Sequence, residues 1–115
     1  MRLRLVTDAL SAWMARNGYE HVRRTSGREP GVCLTAATRG GITAAVIRPR
    51  PADKREYGVL LSRIERAQSK FDRVYVSTTR RGMYHTRPAL MTRGVGVLMV
   101  GGGGEVTVEL EPRQV

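Results

Sequence analysis

The sequence predicts an α/β domain, and three observations lead there. Two segments, 3–17 and 53–70, carry apolar residues at helical spacing. Stretches rich in β-branched residues lie between and after them. Glycine clusters at 40–41 and 101–104 fall where neighbouring stretches must reverse direction. The order reads helix, strand, hairpin, helix, strand, strand, strand. No Pro-, Gly- or Ser-rich linker divides it, so residues 1–115 are expected to form a single domain.

In the first helix Val6, Leu10, Trp13 and Met14 share one face, and Gly18 supplies a left-handed stop. YEHVRRT (19–25) reads as a short strand bounded by the polar SGREP. VCLTAAT (32–38) and ITAAVIR (42–48) read as a hairpin whose turn, Arg39-Gly40-Gly41, requires positive φ. Pro49 and Pro51 end its second strand, because proline cannot donate to a ladder.

In the second helix Asp53 and Glu56 have capping-box spacing. Tyr57, Leu60, Leu61, Ile64, Ala67 and Phe71 form the apolar stripe. Arg63, Arg66 and Lys70, three and four apart, make a basic ridge on another face, read as solvated surface. RVYVSTT (73–79) is a strand in which Tyr75 is expected to join the core. The basic stretch 80–94 reads as a loop with one helical turn at 88–92. VGVLMV (95–100) reads as a strand buried on both faces, and EVTVELE (105–111) as a strictly alternating one. The four glycines between them suggest a hairpin turn. A phosphate-binding loop of the Walker kind needs a Gly-Lys-Ser/Thr ending and a following helix, whereas here a strand follows.

The composition narrows the function. The formal net charge is +10, from 20 basic and 10 acidic residues, and all the basic residues except Lys54 and Lys70 are Arg. The guanidinium fork matches phosphate oxygens, and a polyanionic partner would relieve the self-repulsion of such a chain. Nucleic acid is the expected partner, with DNA preferred over RNA. No basic amphipathic helix with an aromatic face points to a membrane, and no apolar run reaches the 18–20 or so residues that span one. The start, MRLRLV, is too short and charged for a secretory segment. The single cysteine, Cys33, cannot form an internal disulfide and reads as a small buried apolar residue in a strand, which fits a reducing cytoplasm. One Cys and two His, 64 positions apart, do not make a zinc site, and no cofactor is expected. His85 beside Tyr84, with Arg80 or Arg81, is the remaining candidate for acid–base work.

One stretch links the charge to a fold. GVCLTAATRGGITAAVIRPRP (31–51) contains no Asp and no Glu. Together with DALSAWMARNGYEHVRRTSGRE before it and YGVLLSRIERAQSKFDRVYVSTT after it, it resembles the restriction-endonuclease-like PD-(D/E)XK superfamily, archaeal Holliday-junction resolvases in particular. RGVGVLMVGGGGEVTVELEP is similar to the closing hairpin of many members. The resemblance implies a central mixed β-sheet of about five to six strands flanked by two main helices. In that family an Asp opens the central hairpin and a Glu-x-Lys closes it. Two carboxylates there hold Mg²⁺ near the scissile phosphate, and the Lys positions water. Here the first position falls near Gly31 and the others on Val46-Ile47-Arg48. The acids are missing.

The resemblance therefore implies a non-catalytic protein gripping phosphates through an Arg-rich cleft. Arg48, Arg50, Lys54 and Arg55 fall where substrate would lie, with Arg23, Arg24 and Arg28 flanking, and Arg80 and Arg81 on the later basic loop. Two alternatives stay open. One is an assembly protein that forms a homodimer, through an apolar helix or strand edge, within a larger complex. The other is an active nuclease with relocated carboxylates, drawn from Asp8, Glu29, Asp53 or Glu56.

Overall fold

Helix α1, Leu3–Arg16, carries its apolar residues at helical intervals, and Leu10, Trp13 and Met14 are buried. Asn17 Nδ2 donates to the Trp13 carbonyl at 2.7 Å, satisfying one of the orphan acceptors of the last turn. Gly18, at φ 88°, takes the left-handed stop expected of it. In this computed structural model the described residues are 3–25, 31–49, 57–78 and 93–113, and the following account concerns these.

Six strands follow: β1 Tyr19–Arg24, β2 Val32–Thr38, β3 Thr43–Ile47, β4 Arg73–Thr78, β5 Gly96–Val100 and β6 Val106–Leu110, with helix α2, Tyr57–Gln68, between β3 and β4. They form one mixed sheet in the order β1-β2-β3-β4-β5-β6. The β1–β2, β2–β3 and β5–β6 pairs are antiparallel; β3–β4 and β4–β5 are parallel. The molecule is thus an α/β fold with a six-stranded mixed sheet and two described helices, as the sequence predicts.

The sheet separates two apolar layers. On one face Leu10, Trp13 and Met14 of α1 pack with Tyr19, Leu34, Ala44, Val46, Tyr75 and Leu98. On the other, Leu60, Ile64 and Ala67 of α2 pack with Val32, Ala45, Ile47, Val74, Val76 and Val97. Residues 44–47 of β3 are buried on both faces, so this strand lies at the centre of the molecule.

Both predicted turns form. Thr38 N donates to the Ile42 carbonyl at 2.8 Å, with Gly41 at φ 88°. Gly101 N donates to the Glu105 carbonyl at 2.8 Å, with Gly104 at φ 86°. The 101–104 glycines close a hairpin between β5 and β6.

Three departures from the simple strand readings have one cause, an extra residue in the ladder. β1 is irregular between Glu20 and Arg23, where His21 adopts φ 54°. β2 is irregular between Val32 and Leu34, leaving Cys33 as the extra residue. β6 passes from Val108 to Leu110 while β5 advances one step, so Glu109 is extra and the strict alternation expected for 105–111 breaks. Met99 stays half-buried, a correction to the fully buried reading of 95–100. Asp53, Glu56, the proposed turn at 88–92, Tyr84 and His85 lie outside the described residues.

Candidate anion-binding edge of the sheet

β1, β3, β4 and β5 run in the same direction, so their carboxyl ends share one edge of the sheet. The hairpin begins and ends at that edge. Arg48 N donates to the Gly31 carbonyl at 2.9 Å, so the two open ends of the hairpin are hydrogen-bonded neighbours. Gly31 stands at φ 78°, and Arg63 of α2 lies directly over it: a Cβ there would sit 3.0 Å from Arg63 Cδ and 3.5 Å from Ile47 Cγ2. A carboxylate side chain at this position would be strained by its backbone and would push against Arg63.

Along β3 the faces alternate: Val46 joins the α1 layer and Ile47 the α2 layer. Arg48 continues the alternation toward α1. Its side chain is half-buried, and Nη1 is buried without a hydrogen-bond partner among the described residues. An unpaired guanidinium nitrogen removed from water is costly, and an acceptor that reached it would gain correspondingly.

Two polar groups belong to the same edge. Cys33, the bulged residue of β2, donates Sγ–H to the Val46 carbonyl at 3.4 Å. Burial pushes its thiol up to about 11, against a smaller opposing pull from the Arg48 charge. It is therefore protonated at neutral pH and a poor nucleophile. Cys33 is half-buried, not fully buried as its small size suggested, because the bulge turns it away from the regular pleat. Ser77 of β4 is buried, with Oγ 3.5 Å from the Ile47 carbonyl. Continuing the Ile47–Val76 register places Ser77 beside Arg48.

Of the basic residues assigned to the cleft from the sequence, the described ones are Arg23, Arg24 and Arg48. Arg23 and Arg24 are exposed at the carboxyl end of β1. Arg24 makes an ion pair with Asp8 of α1. The same pair occupies Asp8, one of the carboxylates considered for a relocated metal site. Arg28, Arg50, Lys54, Arg55, Arg80 and Arg81 lie outside the described residues, as does Glu29.

The edge does not fit a divalent ion among the described residues: Gly31, Val46 and Arg48 offer no oxygen side chain, and Arg48 brings a cation. No three described His, Cys, Asp or Glu side chains are grouped to hold a metal. Arg63 and Ser77 were not singled out as site residues. Arg63 was visible as part of a basic ridge, but only the packing of α2 over β3 sets it above Gly31. No sequence signal marked Ser77.

The opposite edge holds a second polar cluster. Tyr19 and Tyr75 are buried and hydrogen-bonded through their hydroxyls at 2.7 Å, and Arg73 Nη1 donates to the Tyr19 hydroxyl at 3.0 Å. Trp13 packs edge-on against Tyr75, with centroids 5.4 Å apart. Burial, then the Tyr19 hydrogen bond, pushes the Tyr75 hydroxyl well above the usual phenol range. The cluster is a satisfied structural network, and Tyr75 lies in the core as expected.

No family model and no curated protein matches this chain. Its fold is similar to a solved protein of unknown function from Silicibacter pomeroyi, with a TM-score of 0.65 and 11% identity over 96% of this chain and 70% of the other. The likeness extends to the fold alone. No described helix is long and apolar enough to cross a membrane.

Proposed function

We propose that this protein binds nucleic acid without cleaving it, on a restriction-endonuclease-like scaffold from which the metal-holding carboxylates have gone. The supporting observation is Arg48, a guanidinium at the carboxyl end of the central strand, with a buried Nη1 that no described group satisfies. In open α/β sheets ligands approach from that end of the strands. A phosphate oxygen accepting from Arg48 would complete its hydrogen bonding and offset its charge. Such contacts position a protein on the backbone without reading bases, so binding depends little on sequence and strongly on salt. The strand order, the central place of the hairpin and the crossover helix agree with the element order that suggested the family.

Fluorescence anisotropy with duplex, junction and single-stranded DNA, and with RNA, tests this reading. Parent protein is expected to bind at low salt, most tightly to DNA. Arg48→Ala should weaken all substrates about equally and reduce the slope of log K against log salt by about 1. Equal binding by parent and Arg48→Ala would remove Arg48 from the site. Cleavage of any of these substrates in Mg²⁺ or Mn²⁺ would favour the relocated-carboxylate alternative.

A further inference from the structure

Helix α2 presents two different flanks to the sheet. Leu60, Ile64 and Ala67 define its buried stripe. At 100° per residue, Leu61, Glu65 and Gln68 fall on one side of that stripe, and Arg63, Arg66 and Lys70 on the other. The contacts fix which way each flank faces. Glu65 accepts from Arg93 Nη1 at 2.7 Å, and Gln68 Nε2 donates to the Arg93 carbonyl at 2.6 Å, just before β5. That flank faces the β5 side. Arg63, on the other, covers Gly31 at the start of β2. The basic ridge therefore runs alongside β2.

The strip of sheet beside the ridge is built from small and basic residues. Thr35 and Ala37 of β2 are half-buried and lie outside the α2 core layer. In register, Thr35 pairs with Arg23 and Ala37 with Glu20 on the edge strand β1. Glu20 already faces a cation, with Oε1 3.6 Å from Arg39 Nε. Arg66, Lys70 and Arg23 are exposed, and Arg63 is half-buried. The result is a strip floored by Thr35 and Ala37, with Arg63, Arg66 and Lys70 along one side and Arg23 along the other. By helical rise the ridge spans about 10 Å.

We infer that this strip is a second contact path for a nucleic-acid phosphate backbone, on the opposite sheet face from Arg48. The argument is one of charge complementarity: four cations border a floor without bulky side chains, in a chain of net charge +10. A sugar–phosphate strand passing the carboxyl edge at Arg48 and Arg63 continues along α2 beside Arg66 and Lys70. The inference shares its partner class with the proposed function but rests on different residues.

The test compares Arg66→Glu/Lys70→Glu with Arg16→Glu/Arg113→Glu, which changes the charge by the same amount at exposed positions away from the strip. Circular dichroism confirms folding of both. With a DNA duplex, the ridge variant should lose at least tenfold more affinity than the control and lower the salt slope by about 2, one per phosphate contact. Equal losses in the two variants overturn the strip. Binding that falls in Arg48→Ala but not in the ridge variant overturns the strip and leaves the proposed function standing; no binding by parent overturns both. A second readout needs no substitution: acetylation of Lys70, followed by mass spectrometry, should slow when DNA is bound. Unchanged Lys70 labelling at saturating DNA counts against the strip.

Discussion

Gly31 closes the hairpin in a conformation that resists any side chain. At φ 78°, with Arg63 Cδ 3.0 Å from where its Cβ would lie, Gly31→Ala should cost about 1–3 kcal/mol, read as a lower urea midpoint. An unchanged midpoint would mean that Arg63 moves aside freely. Gly96 is tighter still: a Cβ there would lie 2.6 Å from the Tyr75 ring and 2.9 Å from Pro112. Gly96→Ala should destabilise by about 1–3 kcal/mol or more through overpacking. Cys33 carries a pH signature. Its folded thiol titrates near 11 and its unfolded thiol near the ordinary 9.0, so its contribution is complete below pH 9 and fades as pH rises toward 11. Parent should lose roughly 2–3 kcal/mol across that window that Cys33→Ala does not lose. Parallel stability curves would show that the thiol is less buried than the structure has it. That a glycine stands at each of these places is plain from the sequence. Which glycine stands under a guanidinium and which under a tyrosine ring is not, since those neighbours come from other elements.

At the scale of elements, the extra residues in the ladder recur where the sheet needs them. Both outer strands carry one, at His21 of β1 and Glu109 of β6. Charged, bulged edges resist pairing with other strands. A homodimer of this chain would accordingly meet through a helix face and not through a strand edge. His21 pays a backbone cost for its bulge, because left-handed φ is unfavourable by roughly 1–2 kcal/mol for a residue with a Cβ. His21→Gly should therefore stabilise the fold by up to about 1 kcal/mol after glycine's entropy penalty, read as a slightly higher melting temperature. A lower melting temperature would show that His21 makes compensating contacts. The third bulge, at Cys33, lies inside the sheet, at the hairpin end beside Arg48. It moves Val32 to the α2 layer while Leu34 stays with α1, and so shapes the edge where the anion site is proposed. Alternating sequence patterns locate strands well, but a bulge is one residue of slippage and leaves the pattern almost intact.

For the whole molecule, charge and topology together set the expected behaviour. Of the described carboxylates, Asp8, Glu20 and Glu65 face Arg residues, and Asp72 Oδ2 accepts from Thr43 N at 2.9 Å. These contacts take up acids in a chain that has half as many acids as bases, and pairing leaves its net charge of +10 unchanged. Polyanions that bind the folded form should stabilise it by mass action. Heparin or duplex DNA at low salt is expected to raise the melting temperature, and the gain should vanish at about 0.5–1 M salt, where screening lengths fall to a few ångströms. A gain that persists in high salt would point to a partner recognised by something other than charge.

By itself the sequence determined the α/β class, the element order, both glycine turns and the acid-free hairpin with its surplus of Arg. These are properties of local periodicity, turn chemistry and charge count, each written in residues close together in the chain. Only the tertiary structure decided that Arg48 and Gly31 are neighbours, that Arg24 is taken up by Asp8, and that the α2 ridge borders β2. Those relations depend on strand order, on bulges and on which flank a helix turns toward the sheet. They join residues as far apart as Gly31 and Arg63, whose proximity arises only when two layers close on a common sheet.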